Sequence, residues 1–389
     1  MASHRANTFG VPAEPFPTRI VFVALSVVAL VVIAGAAALW PRHHVHAPQA
    51  STLVTATVSS TALNGCDASG SGCVREVVLR LKSGPDQGLT TTLTFAPGPT
   101  DPHLSVGETV RLARVAQGGQ VVYQFDDIVR SRPLGLLAIL FALVVVAVGR
   151  LRGVAALAGL LFAGAVLVVF VLPALLDGSS PTLVALVAGG AITLVVLPLS
   201  HGISTSTSVA VLGTLAGMAI AAGVAAVAVA ALRFTGLSGE ENATLALLGS
   251  RSTVSGLLLA GAVIGALGVL NDVTVTQVSA VAELAPHAPS RRAVFSSAMR
   301  IGRDHIASTV YSLILAYAGS ALPLLLLFSL SRQATLNVLS SDAVAPEIAA
   351  SLIGGIALVV VVPLTTALAA AFVPAPGRAV PAGEGRPQS

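Results

Sequence analysis

The chain has 389 residues, of which 54% are hydrophobic and only 10% charged, with a formal net charge of +4. Its mean hydropathy is +0.88, whereas ordinary soluble domains carry about 25% charged residues. These figures exclude a water-soluble globular protein and predict an integral one whose main partner is the lipid bilayer. The arginine excess is scattered, with no basic run or aromatic-basic module, so nucleic acid is not an expected partner.

Residues 1–18 are Pro-rich and polar without periodicity, which predicts a disordered tail. Arg19 then introduces the apolar run from Ile20 to Trp40. At about 20 residues this suits a spanning helix and exceeds the apolar core of a cleaved signal, so residues 19–41 are read as an anchor that is retained.

Between residues 51 and 128 the pattern changes to β-branched, alternating runs separated by turn residues: LVTATVS, CVREVVLRL, LTTTLTFA, ETVRLARVA and VVYQF. Five such strands hide their edges most simply as a small OB-like β-barrel. Tyr123 and Phe125 are expected in its core, because oligonucleotide binding would need exposed aromatics along a basic groove. The chain's two cysteines, Cys66 and Cys73, lie within this segment and are expected to form a disulfide if it faces an oxidising compartment.

Apolar runs resume in residues 133–373, at Leu134–Val148, Val154–Leu172, Leu183–Leu199, Val209–Leu232, Val254–Leu270, Ile306–Phe328 and Ile348–Phe372. With the anchor, these predict an α-helical polytopic membrane protein of about eight transmembrane helices carrying a small extracytoplasmic β domain. Arg150 and Arg152 separate the first two runs as a tight basic turn. Residues 374–389 are Pro- and Gly-rich, a second disordered tail. Arginines at positions 5, 19, 150, 152, 291, 292, 300, 303, 378 and 386 share one side if both termini are cytosolic. That orientation places residues 42–133 outside the cell membrane and makes the disulfide compatible with its surroundings.

Several polar motifs interrupt the apolar runs. His201 precedes Gly202-Ile203-Ser204-Thr205-Ser206-Thr207, whose hydroxyls either coordinate a substrate or cap the next helix, with capping the simpler account. Glu240 and Glu241 stand at an expected helix start, where the macrodipole favours them, or capture a cation at an entrance. His43, His44 and His46 form an HHxH cluster that has no further ligand nearby, and no metal or cofactor is expected. Gly213 and Gly217, and the set Gly261, Gly265 and Gly268, are expected where helices pack closely. The absence of a nucleophile elbow, P-loop or H-E-x-x-H motif argues against an enzyme.

The most informative stretch is 268–320, polar between two apolar runs. Helical segments at 253–284 and 291–321 flank the breaker Ala285-Pro286-His287-Ala288-Pro289, with Ser290 placed as an N-cap, which predicts a helical hairpin. If the helices are antiparallel about His287, Asp272 comes level with Arg300, Arg303 and Asp304, and is expected to face Arg300 or Arg303. Asp272, Thr276, Ser279 and Glu283 form one helical stripe; Arg300, Asp304, Ser308 and Tyr311 form another. Two facing stripes would line a hydrated path, or else hold the helices together as a polar seam.

The strings GLSGEE (236–241), LGTLAG (212–217), NDVTVTQVSAVAEL (271–284), MRIGRD (299–304) and LILAYAGSALPLLLL (313–327) resemble the bacterial YibE/F family of multi-pass membrane proteins. The resemblance runs over roughly residues 50–372. Asp272, Glu283, Gly302, Arg303, Asp304 and Tyr317 fall on family motif positions. What it implies is a permease. The resulting expectation is secondary transport of a small solute or ion, with Asp272, Arg303 and Asp304 as the coupling or gating site. The alternative is a non-transporting scaffold or sensor whose outer β domain binds an envelope protein.

Overall fold

The computed structural model describes residues 15–42, 52–65, 73–99, 101–117, 120–234, 254–330 and 334–372. They fall into two units, residues 46–148 and the remainder of the chain. Cys66, the histidines at 43, 44 and 46, and Glu240 and Glu241 lie outside the described residues. Cys73 is not a free thiol.

In the first unit, β1 (Thr52–Asn64), β2 (Val74–Leu81), β3 (Thr90–Phe95), β4 (Thr109–Gln117) and β5 (Gln120–Ile128) form one antiparallel sheet in the order β3-β2-β1-β4-β5. The period-2 alternation sets its inner face: Val54, Ala56 and Val58 meet Val77, Leu79, Leu81, Val110 and Leu112 there, all at most 3% exposed. The sheet curls into a half-barrel. Its end strands are not hydrogen-bonded neighbours, but Phe95 of β3 and Phe125 of β5 meet edge to face at 5.8 Å. Tyr123 and Phe125 pack against the core, as expected from the sequence.

Ion pairs tie the loops to this sheet. Asp101 has a fully buried side chain; burial works against its charge, yet the Arg75 guanidinium at 2.6 Å and the His103 N–H at 3.1 Å outweigh it and hold its carboxyl below the usual range. Asp86 is held low by the Tyr123 hydroxyl and then by Arg114, whose Nε donates at 2.8 Å. Asp127 is lowered first by Arg130 and then by the Ile128 N–H.

Helical elements account for the rest: α1 (Pro15–Ala38), α2 (Ser131–Val166), a π-turn (Leu167–Val171), α3 (Leu172–Leu176), α4 (Pro181–His201), α5 (Thr205–Leu232), α6 (Val254–Leu284), α7 (Arg291–Ser320), α8 (Leu322–Leu330), α9 (Thr335–Leu339) and α10 (Ala345–Phe372). Among the described residues, six helices are long and apolar enough to cross a membrane, or seven if the bent pair α7–α8 is one span. One of the six is the stretch Ser131–Leu176, whose 46 residues are more than the about 20 that one crossing needs. Its helix breaks at Arg150, with φ 52° and ψ −132°, between the two runs read from the sequence.

The expected single span Ile306–Phe328 is not straight. α7 ends at Ser320, and α8 leaves at a 60° bend. Pro323, just inside α8, has no N–H to continue the α7 ladder, which explains a break at this point.

Close packing around α10 is made possible by glycine. A methyl group at Gly213 would lie 2.5 Å from Thr365 Oγ1, and one at Gly217 would lie 2.9 Å from Val361 Cγ2. The expected G-x-x-x-G contact is therefore made by α5 against α10. On α6 the expectation fails in part: Gly265 receives the Tyr317 hydroxyl, but Gly261 and Gly268 face open space.

Candidate functional site

The hairpin forms as its local chemistry dictates. Proline at 286 closes α6 into a 3-10 turn, Ala285–His287, and the Ser290 side chain accepts the Ala293 N–H at 3.2 Å to start α7. Val294, Ala298, Gly302 and Leu313 are buried, a stripe at helical spacing that also contains His305.

Arg300, Arg303, Asp304, Ser308 and Tyr311 lie off that stripe and are exposed, so Asp272 faces neither arginine. Arg300 donates instead to Ser297 Oγ at 3.2 Å on its own helix. Asp272 meets His305, with 3.8 Å between Oδ2 and Nε2. The expected level was correct to within a turn, and the azimuth was not. Because each residue rotates a helix by about 100°, a displacement of one to three residues changes the facing side chain. Nor do the two polar stripes oppose each other: Asp272, Ser279 and Glu283 are exposed, as is the α7 stripe.

Asp272 borders two features at once. On one side is His305, whose Nε2 is buried without a hydrogen bond although the side chain as a whole is 27% exposed. On the other is a cavity of about 140 Å³ lined by Val196, Leu197, Ser200, His201, Asn271, Asp272 and Val275. His201 arrives there because Gly202, at φ 79°, ends α4 immediately after it. Asn271 contributes a buried Oδ1 with no partner. In the hydroxyl segment after His201, Ser204 caps α5: its Oγ accepts the Thr207 N–H at 3.1 Å.

Beside this cavity lies a buried polar layer that the sequence reading did not single out. Thr214 of α5 and Thr274 of α6 are fully buried, with hydroxyls 2.7 Å apart. Thr274 also donates to the Asn271 carbonyl at 3.1 Å, which leaves Thr214 as the donor between the two. Gln277 is also fully buried, its Oε1 is 2.9 Å from Thr366 Oγ1, and its Nε2 has no partner. Thr366 lies 2.7 Å from the Val362 carbonyl as well, so its single proton serves two acceptors. Gly302 closes over the amide: a methyl there would sit 3.0 Å from both its polar atoms and 2.7 Å from Val362 Cγ1. A signal was present, since Leu267, Leu270, Thr274, Gln277 and Val281 share one helical stripe and all are buried.

Tyr311 is 59% exposed and joins no site. Tyr317, by contrast, lines a second cavity of about 200 Å³ at the α7–α8 bend. Among the described residues, no group of three or more His, Cys, Asp or Glu side chains could hold a metal ion.

Residues 137–375 match the family model described as YibE/F-like protein. No curated protein and no solved structure matches the chain.

Proposed function

We propose that this chain, which belongs to the YibE/F-like family, is a multi-pass permease of the bacterial cell membrane that moves a small solute or ion by secondary transport. Asp272 is the charged centre of the mechanism. The observation that carries the reading is its position between the cavity that Ser200, His201 and Asn271 help to line and the imidazole of His305. An ionisable group on a spanning helix is costly without a partner. Binding of a cation at Asp272 then changes its attraction to His305, and with it the packing of α7 against α6. Arg303 and Asp304, on the outer face beside His305, act as gating charges and not as direct partners.

In this reading the helix break at Arg150 divides residues 131–176 into two crossings, and α7–α8 count as one. The six helices then become eight crossings, one added by each step. Both termini are cytosolic, the β unit lies outside, and its strand order is that of an OB-type barrel opened between β3 and β5. The chain carries out no covalent chemistry.

The test is solute uptake by proteoliposomes under imposed proton and sodium gradients. Asp272→Asn abolishes gradient-driven uptake, and His305→Gln weakens it. If uptake of every solute class that the wild type accumulates is unchanged by Asp272→Asn, the coupling role is wrong. The sensor reading is separated by deleting residues 52–128: loss of a crosslinked envelope partner with flux intact favours it.

A further inference from the structure

The outer face of α7 carries charge at a depth where its neighbours carry none. Arg300, Asp304, Ser308, Ser312, Ala316 and Ser320 recur every four residues along it and are all exposed, as is Arg303 beside them. Two contacts fix the level of this face: a methyl at Gly302 would lie 2.7 Å from Val362 of α10, and one at Gly354 of α10 would lie 3.1 Å from Leu313. Asp304 is therefore level with Val359 and Val360. From Ile348 to Phe372, α10 has no charged residue, and the side chains it turns outward, such as Leu352, Ile356, Val359 and Val360, are apolar. Val362 stands about 15 Å inside the Phe372 end of that helix. The level agrees with α5, where a methyl at Gly217 would lie 2.9 Å from Val361 and Gly217 is well inside the apolar run Val209–Leu232.

Charges at that depth meet hydrocarbon unless protein covers them, and an uncovered charge there is costly. A long arginine can extend toward the headgroups, but the short Asp304 side chain cannot. Among the described residues neither Arg303 nor Asp304 makes an ion pair or hydrogen bond, and Arg300 only donates to Ser297. What covers the face must offer a cation level with Asp304 and an anion level with Arg303. A second copy of the chain offers both. Copies in one membrane share an orientation, so a two-fold axis between them runs along the bilayer normal and brings equal heights together. Arg303 and Asp304 differ by one residue's rise, about 1.5 Å, so the arginine of each copy reaches the carboxylate of the other. The rest of the face suits close approach: Ser308, Ser312 and Ser320 donate their hydroxyls to the His305, Ser308 and Tyr317 carbonyls of their own helix at 3.1, 2.9 and 2.8 Å. Small side chains satisfied in this way let the backbones of spanning helices touch.

We infer that the outer face of α7 is the interface of a two-fold homodimer in the membrane, in which Arg303 of each copy pairs with the partner's Asp304 and the small side chains from Ser308 to Ser320 pack against their equivalents. None of these residues lines the cavity beside Asp272. The dimer is read from association alone, so its failure leaves the Asp272 reading standing.

The experiment co-expresses two differently tagged copies of the full-length chain, captures one tag from a maltoside extract and measures the other. Wild-type copies are expected to capture each other. Asp304→Arg sets arginines against arginines in a like pair, and Arg303→Asp sets carboxylates against carboxylates, so each variant is expected to capture its own kind about tenfold less well. An Asp304→Arg copy expressed with an Arg303→Asp copy is expected to recover wild-type capture, because both cross pairs then join opposite charges; mixing would not repair a folding defect. Oxidation of Ser308→Cys in membrane vesicles is expected to give a crosslinked species of twice the chain's mass, and Leu352→Cys on the outward side of α10 is not. Should the charge variants fail to accumulate, this comparison decides alone. A mixed pair captured no better than the like pairs, wild-type copies that do not capture each other, equal crosslinking at the two cysteine positions, or a crosslinked product of another mass would each overturn the inference.

Discussion

Gly302→Ala provides the sharpest test of how the hairpin docks. The new methyl group would lie 2.7 Å from Val362 Cγ1 and 3.0 Å from both polar atoms of Gln277. Valine is stiff at χ1, and the amide is fully buried, so neither neighbour yields freely. Overpacking of this kind costs about 1–3 kcal/mol, against a gain of up to about 1 kcal/mol from replacing glycine within a helix. Gly268→Ala in α6 is the control, because nothing lies within 4 Å of its new methyl and only the propensity gain remains. The difference between the two variants therefore isolates the clash at about 1–3 kcal/mol. Reversible unfolding in mixed micelles measures it, and Val362→Ala in the Gly302→Ala background should restore much of the loss. If Gly302→Ala is as stable as Gly268→Ala, or if Val362→Ala gives no recovery, α7 does not approach α10 at Gly302 and the inward stripe is misassigned.

Other outcomes follow from the same contacts. Thr274→Val leaves the buried Thr214 hydroxyl without an acceptor and should cost about 1–3 kcal/mol, whereas Thr214→Val leaves Thr274 bonded to the Asn271 carbonyl and should cost about 1 kcal/mol. Unfolding midpoints in the same micelles would rank them. Gln277→Leu removes an amide whose Nε2 is buried without a partner, so stability should hold or rise while Thr366 keeps its bond to Val362; a large loss of stability would show that the amide is satisfied. In the β unit, Asp86, Asp101 and Asp127 are all held below the usual carboxylate value. Their contribution is complete above the unfolded value near pH 4 and is lost as the pH falls through the lowered folded values. Hydrogen exchange at Val77 and Leu79 of the full chain should accelerate over that range, and Asp101→Asn should reduce the acid dependence.

Local chemistry made much of the architecture legible. Ser290, Pro286 and the polarity change after Leu270 suffice to place the α6–α7 hairpin, because capping and proline effects act within a few residues. Period-2 alternation likewise located each β strand and its inner face. Arg150 between two apolar runs marked the break in the 46-residue stretch. The Pro323 bend was less visible, since a proline in an apolar run is compatible with either a kink or a straight bundle.

The candidate site divided along the same line. Asp272, His201 and Tyr317 were recognisable as polar residues in apolar surroundings, and the structure places each beside a cavity. Arg300 and Arg303 were equally recognisable but occupy the outer face of α7, while the side chain that opposes Asp272 is His305. By itself the sequence determined that the chain is membrane-embedded, where its helices and strands run and where the hairpin turns, because those properties depend on hydropathy, periodicity and capping among near neighbours. Only the tertiary structure decided that His305 opposes Asp272, that Gln277 reaches Thr366 from 89 positions away, and that Glu347 and Tyr317 share a cavity. Those pairings follow from the rotation of each helix about its axis, fixed by glycine contacts with helices distant in sequence, which no local pattern encodes.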